Sequence, residues 1–284
     1  MTSTRGPDFI GLGAQKAGTS WIYACLYEHP AICIPIKEIH FFSHEDKWRK
    51  GTLWYESHFA KCETWQKAGE FCTTYLSHPM AAARIHEYYP SVKLLACLRN
   101  PVDRAFSNYV NDIKAGLISP KVSFREALSD RREYLQRGFY SQQLERFLRF
   151  FPRDKIHISI YENIAGNPLK FIQDIYRFIG VSDDFVPSML NARVNVARVP
   201  RFVVIEKVTN RVADILRRLG CGNFVWAVKR ARLPDLLRWI NTRKRRKQDL
   251  RIMFEDKIWL YEQFRSEIES LEDLIGINLD KWRV

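Results

Sequence analysis

A glycine-rich loop near the start of the chain has the composition of an anion-binding site. Residues 13–20 have the sequence Gly-Ala-Gln-Lys-Ala-Gly-Thr-Ser, after the apolar run Phe9–Leu12 and before a stretch with helical spacing. Glycines allow a tight turn, and the N–H groups at a helix N-terminus bind phosphate-like anions. A Walker loop places its lysine directly after the last glycine, whereas Lys16 lies two residues before Gly18. We therefore predict a phosphate-binding strand-turn-helix that is not of the Walker type.

A second candidate anion site follows the nearly continuous apolar run Val92–Leu98. Such a run indicates a parallel strand that is covered on both faces. In phosphate-loop kinases the corresponding strand ends in an acidic residue that organises Mg²⁺, but here Arg99 follows. A guanidinium group binds phosphate rather than a cation, and Ser107, about two turns into the next helix, offers a hydroxyl to the same anion. The pattern predicts two phosphate contacts and no metal, as for a nucleotide phosphorylated at two positions.

Strand and helix signals alternate along the chain. Asn100 is a good helix cap and Pro101 suits a first turn, so a helix is predicted over Val102–Lys114. Further helices are predicted at about 75–89, 140–151, 171–179 and 250–275, strands at 31–42 and 155–161, a surface excursion at 43–62 and a loop at 191–201. The alternation predicts an α/β fold, a parallel sheet flanked by helices, in a single domain over residues 1–284.

The charge of the chain indicates an anionic partner. Lysine and arginine number 45 against 32 acidic residues, a formal net charge of +13. Nucleic acid, an acidic membrane surface, and a phosphorylated or sulfated small molecule are all compatible with that charge. The basic residues are densest in Arg217–Lys247, where they alternate with apolar side chains. The segment around 202–249 is predicted to face an acidic acceptor or an anionic membrane, or to form a partly buried helical pair with a solvated basic face.

The cysteines and the apolar runs predict the compartment. Six cysteines occur without any CxxC pair, at Cys25, Cys33, Cys62, Cys72, Cys97 and Cys221. This scatter predicts neither a zinc site nor a disulfide framework. Because no run is long and apolar enough to span a bilayer and the first residues are polar, we expect a reduced, cytoplasmic protein, with peripheral membrane contact through the basic segment as an option.

Together these motifs resemble a known enzyme family. Phe9–Leu26 resembles the phosphosulfate-binding loop of sulfotransferases that use phosphoadenosine phosphosulfate (PAPS), and Leu98–Tyr109 resembles their 3′-phosphate motif. The sequence Lys-Glu-Ile-His-Phe-Phe at Lys37–Phe42 is similar to the segment with the proposed base in heparan-sulfate-type members, and Gly138–Pro152 and Leu271–Trp282 resemble bacterial members. The resemblance implies the sulfotransferase fold, and transfer of a sulfuryl group from PAPS to a hydroxyl or amine of a carbohydrate, glycolipid or secondary metabolite, with release of PAP.

The resemblance also implies which residues bind the donor. Lys16 would contact the bridging or transferring oxygens, and Arg99 and Ser107 would hold the 3′-phosphate. The 5′-phosphate would be held by the loop residues Ala17, Gly18, Thr19 and Ser20. Trp21 matches an adenine-stacking tryptophan of cytosolic members, although a tryptophan in an apolar helix is as often part of the core.

The acceptor side of the resemblance rests on fewer residues. Glu38 matches the carboxylate proposed as general base, and His40 matches a histidine that would orient Glu38, contact the acceptor or act as the base itself. Arg198 and Arg201 would close over the cofactor, or belong to a solvated basic loop. Phe71 stands where heparan-type members often carry a lysine, so one active-site cation is expected to be missing.

Two other classes of function compete with this interpretation. A nucleotide kinase shares the strand-turn-helix but is opposed by the position of Lys16 and by Arg99 at the second strand end. A basic nucleic-acid-binding module accounts for the charge of +13 but not for two anion sites at strand ends.

Overall fold

The computed structural model describes residues 5–191 and 252–283. These residues group into two compact units. Among them the first unit comprises 5–104, 135–191 and 258–283, and the second comprises 105–134 and 252–257. The single domain expected from the sequence stays a prediction.

A parallel sheet forms the centre of the first unit. Its strands are β1 (Phe9–Gly13), β2 (Ile32–Cys33), β3 (Lys67–Phe71), β4 (Lys93–Leu98) and β5 (Ile156–Ile160). Their spatial order is β2-β3-β1-β4-β5, and every neighbouring pair is parallel. All residues of β1 are buried, as expected for a central strand covered by helices on both faces. The predicted α/β fold with a parallel sheet is confirmed.

Helices connect and flank the strands. They are α1 (Thr19–Glu28), α2 (Glu45–Trp48), α3 (Gly51–Glu56), α4 (Ala81–Tyr88), α5 (Pro101–Lys114), α6 (Phe124–Asp130), α7 (Glu133–Gln136), α8 (Tyr140–Leu148), α9 (Pro168–Ile179) and α10 (Phe254–Ile275). Short 3-10 helices lie at Ser57–Phe59, Arg153–Lys155, Tyr161–Ala165, Ser188–Asn191 and Asp280–Trp282. The amphipathic helices bury one stripe each, and in α10 that stripe includes Leu260, Phe264, Ile268 and Leu271.

The helix signals in the sequence have their expected structural causes. The side-chain oxygen of Asn100 accepts a hydrogen bond from the Val102 N–H at 3.0 Å, as a cap should. Helix α9 ends at Gly180, whose φ of 90° is left-handed, a conformation that glycine adopts at little cost. These local features were predicted because they depend on neighbouring residues alone.

Several segments differ from the sequence expectations; the helix expected over 75–89, for example, is limited to Ala81–Tyr88. The strand expected over 31–42 is limited to Ile32–Cys33, because Glu38 and His40 take positive φ angles that break it. The excursion at 43–62 contains α2 and α3, and it buries Tyr55 and Phe59. Strand β3 was not predicted, because its sequence Lys-Ala-Gly-Glu-Phe lacks an apolar run; its buried Glu70 accepts hydrogen bonds from the hydroxyls of Tyr55 and Tyr75, at 2.7 and 2.9 Å.

The expectation that the cysteines form no disulfide is wrong. Cys33 and Cys62 are bonded, with their Cα atoms 5.6 Å apart. Their separation of 29 residues carries no local signal, and the pair meets only because β2 lies at the sheet edge near the end of the 43–62 excursion. The expectation of a reduced chain is wrong for this pair, whereas Cys25, Cys72 and Cys97 are free and buried.

Among the helices that the structure describes, none combines the length and the apolar character needed to cross a bilayer.

Candidate active site

The loop between β1 and α1 has the backbone of an anion-binding turn. Lys16 and Gly18 have left-handed φ angles of 71° and 76°, and the Gly18 carbonyl accepts the first helical hydrogen bonds, from Trp21 at 2.9 Å and Ile22 at 3.1 Å. The N–H groups at the very start of a helix, ahead of these bonds, have no intrahelical acceptors and can therefore bind an anion. A Cβ at Gly18 would lie 2.8 Å from the ring of Tyr161, so this turn requires glycine.

Arg99 lies against this loop, as the parallel order of β1 and β4 requires. Its Nη1 donates a hydrogen bond to the Lys16 carbonyl at 3.1 Å, and its guanidinium lies 4.7 Å from the centroid of the Tyr161 ring. The Nε of Arg99 is buried and has no hydrogen-bond partner. The guanidinium is therefore held at the loop, and its buried Nε–H group has no acceptor.

A small hydrogen-bond network fixes the backbone at Arg99. Its carbonyl accepts from the Tyr140 hydroxyl at 2.9 Å. The next residue, Asn100, donates its backbone N–H to Glu162 at 3.0 Å and its side-chain amide to the Trp282 carbonyl at 3.1 Å. The indole of Trp282 donates to the other Glu162 oxygen at 2.9 Å. Residues far apart in the chain thus set the direction of the arginine.

Glu38 and His40 form a carboxylate–imidazole pair between β2 and β3 in the chain. Both have left-handed φ angles, 66° and 61°, which are unfavourable for residues other than glycine. The Glu38 N–H donates to the Phe71 carbonyl at 3.0 Å, which ties the segment to the end of β3. As a result His40 Nε2 lies 3.2 Å from Glu38 Oε2, and Thr73 Oγ1 donates to Glu38 Oε1 at 3.2 Å.

The surroundings of His40 favour its protonated form. Its Nδ1 lies 3.1 Å from the Cys72 sulfur and 3.2 Å from Thr74 Oγ1. The Cys72 sulfur and then the Glu38 carboxylate raise the pKa of His40 to about 9. Burial acts to raise the pKa of Glu38, but the hydrogen bond and charge of His40, with the charge of Lys37, hold it below its ordinary value. At neutral pH the pair is an imidazolium beside a carboxylate.

Lys37 connects this pair to the phosphate loop. Its Nζ donates to Ser20 Oγ at 2.8 Å, in the first turn of α1. The structure thus brings together Lys16, Gly18, Ser20 and Arg99 at one loop, with Glu38 beside it through its neighbour Lys37. Lys37, Cys72, Thr73 and Thr74 were not predicted as site residues; only the position of Lys37 next to Glu38 could have identified it.

Glu38, His40 and Cys72 also present oxygen, nitrogen and sulfur atoms that lie within 4.8 Å of one another and could hold a metal ion. The metal-free chemistry expected from the sequence therefore stays a prediction.

The other predicted site residues differ in where they lie. Ala17 is buried in the loop. Trp21 is 7% exposed, and its indole N–H donates to the Met189 carbonyl at 3.2 Å, which makes it a core residue; stacking on adenine stays a prediction. Ser107 is part of α5, within the second unit.

Arg198, Arg201 and the basic segment around 202–249 lie outside the described residues. Phe71 is buried with its ring against Gly11, where an added Cβ would lie 2.2 Å from the ring. The position therefore contributes packing rather than a cation.

The parallel sheet and its glycine loop define an α/β protein with an anion-binding turn at the end of its central strand. Residues 6–198 match the family model of the sulfotransferase domain. The chain belongs to this family, and the predicted sulfotransferase fold is confirmed.

Relatives of known description share the same region. Heparan sulfate glucosamine 3-O-sulfotransferase 5 of Mus musculus is 27% identical over 185 residues, which cover 62% of this chain and 54% of the relative. Bifunctional heparan sulfate N-deacetylase/N-sulfotransferase 2 of Homo sapiens is 27% identical over 202 residues, 64% of this chain and 23% of the relative. The chain thus spans about half the length of the first curated relatives it matches.

A solved structure matches almost the whole chain. It is a sulfotransferase from Alicyclobacillus acidocaldarius, with a TM-score of 0.72 and 26% identity, covering 99% of this chain and 100% of that one.

Proposed function

We propose that this protein transfers a sulfuryl group from PAPS to a hydroxyl or amine of a carbohydrate, glycolipid or secondary-metabolite acceptor, releasing PAP. One observation carries the proposal: a hydrogen-bonded carboxylate–histidine pair, Glu38 and His40, adjoins the anion-binding turn of a sulfotransferase-family domain, joined to it by the contact of Lys37 with Ser20. A bare phosphate-binding loop would not need a base beside it.

The sulfuryl donor would be bound through its two phosphate groups. The first-turn N–H groups of α1 and the ammonium of Lys16 would bind the 5′-phosphate. Arg99 would bind the 3′-phosphate, with its Nε–H, which has no acceptor in the structure, among the contacting groups. Because the N–H groups of α1 are fixed by the backbone before binding, they would stabilise the charge of the leaving 5′-phosphate without reorganisation.

The acceptor is activated by a carboxylate. Glu38 takes the proton of the acceptor hydroxyl while the acceptor oxygen bonds to sulfur, and the electron pair of the broken sulfur–oxygen bond remains on the 5′-phosphate. Since the pKa of His40 is raised to about 9, the protonated imidazole is favoured at neutral pH, which leaves Glu38 as the better proton acceptor. The role we assign to His40 is therefore to hold Glu38 by a hydrogen bond, with positioning as its main contribution.

Ligand binding and turnover test this proposal together. Thermal shifts are measured with PAP, AMP and ATP, with and without Mg²⁺, and labelled sulfuryl transfer is then followed with a panel of hydroxyl and amine acceptors. We expect PAP to stabilise the protein strongly without metal, because a ligand of the folded state alone raises its stability by mass action. Stabilisation by ATP that depends on Mg²⁺ would favour a kinase, and salt-sensitive oligonucleotide binding without competition by PAP would favour a nucleic-acid-binding module.

A further inference from the structure

Lys37 is a half-buried cation whose ammonium lies 5.6 Å from the Tyr23 ring centroid and interacts with the adjacent Glu38 by charge alone, without an ion-pair contact. Its only hydrogen bond among the described residues goes to the neutral hydroxyl of Ser20, at 2.8 Å. No carboxylate in the described part of the chain lies within ion-pair distance of its Nζ, and the adjacent Glu38 directs its carboxylate to His40. Burial lowers the pKa of Lys37. A cation that is withdrawn from water costs free energy unless an anion compensates it.

The contact with Ser20 indicates where that anion belongs. Since Ser20 Oγ accepts from the ammonium, its own O–H is left to donate to a third group. Ser20 is in the first turn of α1, where N–H groups also lack acceptors. The ammonium, the hydroxyl and these N–H groups are all donors, so the position between them suits a phosphate rather than a cation or a neutral group.

We propose that Lys37 binds the 5′-phosphate of the sulfuryl donor and stabilises the charge that this phosphate gains during transfer. The inference rests on the proposed function and adds a second cation to it, on the side of the loop that carries Glu38. In the reaction the acceptor oxygen bonds to sulfur, the bond from sulfur to the 5′-phosphate oxygen breaks, and its electron pair stays on that oxygen. The acceptor proton goes to Glu38, so Lys37 keeps its protons throughout.

The test compares two ligands that differ only in the 5′-phosphate. Affinities of PAP and of adenosine 3′-phosphate are measured for the wild type, Lys37→Met and Lys37→Gln. We expect both variants to bind PAP about ten- to a hundredfold more weakly, the range of a hydrogen bond to a charged group, and to bind adenosine 3′-phosphate within about twofold of the wild type. Turnover should fall about a hundredfold, as when one preorganised donor to a developing anion is removed.

A neighbouring lysine provides the matched control. Lys50 is exposed and its ammonium lies 4.6 Å from the Trp54 ring centroid, so Lys50→Met removes the same charge away from the loop. We expect it to leave both affinities unchanged. Lys37→Gln keeps a hydrogen-bond donor toward Ser20, and it serves as the test if the methionine variant unfolds.

The outcomes separate the two proposals. If the wild type fails to bind PAP, the proposed function itself is contradicted. If the wild type binds PAP but the Lys37 variants bind it equally well, or lose both ligands by the same factor, the role of Lys37 is overturned and the proposed function is retained.

Discussion

Glu38 and His40 are brought together by unfavourable backbone conformations. Each takes a left-handed φ, at a cost of about 1 kcal/mol or more per residue. The segment is held by backbone contacts on either side of this strain: the Glu38 N–H donates to the Phe71 carbonyl at 3.0 Å, and Lys47 Nζ donates to the Ile39 carbonyl at 2.6 Å. These two hydrogen bonds hold the segment and offset part of the strain that brings a carboxylate and an imidazole together.

Glu38→Gln should abolish most turnover while leaving donor binding nearly intact. The amide cannot take a proton, and general-base catalysis contributes about 10²- to 10⁴-fold. Sulfuryl transfer and PAP affinity are measured in parallel, with Glu45→Gln as a control on a nearby exposed carboxylate. Turnover that survives in Glu38→Gln would move the base to another group, first to His40, because the lost carboxylate would no longer raise the pKa of its imidazole.

The stability of the protein should fall at alkaline pH as His40 loses its proton. Its folded pKa of about 9 lies above the unfolded value, so its stabilising contribution is complete below about pH 6.5 and is lost as the pH rises to about 9. Allowing for solvent screening of a half-buried pair, the loss is about 1–2 kcal/mol. Denaturant unfolding between pH 6 and 10 measures it.

Cys72→Ala tests the cause of that pKa shift. It removes the sulfur beside Nδ1 and should move the alkaline loss of stability to lower pH, while Cys72→Ser should restore part of it because its hydroxyl can accept the same hydrogen bond. Cys25→Ala removes a buried thiol elsewhere and should leave the pH at which stability is lost unchanged. An identical shift in both alanine variants would contradict the assignment.

At the scale of elements, the turn between β1 and α1 is the part of the site that tolerates least change. Gly18→Ala would place a Cβ 2.8 Å from the Tyr161 ring at a φ of 76°. We expect a loss of about 1–3 kcal/mol of stability and weakened PAP binding, because the displaced ring also packs on Arg99. At Gly166 an added Cβ would lie 3.6 Å from the nearest atom, so Gly166→Ala should change stability by about 0.5 kcal/mol or less.

The bridge between Cys33 and Cys62 constrains the element that leads into Glu38. By the chain-entropy relation, closing a loop of this length stabilises by about 3–4 kcal/mol. Dithiothreitol should therefore lower the denaturant midpoint of the wild type. The double variant Cys33→Ser, Cys62→Ser should have a lower midpoint without the reagent, and the reagent should not change it. Identical midpoints with and without thiol would show that the bond does not contribute.

The sequence predicted the elements whose signals are local. The strand-turn-helix at 9–26, the strand before Arg99 and the Asn100 cap each follow from adjacent residues, and all are present. The missed features depend on distant partners: β3 buries Glu70, whose Oε1 accepts from the hydroxyls of Tyr55 and Tyr75, and Cys33 bonds to Cys62 across 29 residues. Glu38 and His40 were identified through the family resemblance. Their contact could not be predicted, because it depends on left-handed φ angles that neither glutamate nor histidine favours.

At the scale of the whole molecule, the net charge of +13 favours an anionic ligand, and in the proposed function Arg99 is one of the few groups that bind it. Arg99→Ala should weaken PAP far more than AMP, since AMP lacks the 3′-phosphate that Arg99 would hold. A bidentate guanidinium–phosphate contact is worth about 1.5–3 kcal/mol, or about 10- to 100-fold. Titration of both nucleotides measures the difference, and equal losses of affinity for PAP and AMP would contradict two separate phosphate contacts.

The cytoplasmic location and the membrane contact of the basic segment stay predictions.

The strand order also sets when the donor site can form during synthesis. Strand β1, which precedes the glycine loop, leaves the ribosome before its sheet neighbours β3 and β4, which end at Phe71 and Leu98. Until those strands emerge, an apolar strand and its glycine turn have no partner and stay exposed, because non-local pairing must wait for the chain to reach it. The glycine loop is thus translated before the strands that complete its sheet, and a nascent chain halted before β4 would present β1 to chaperones.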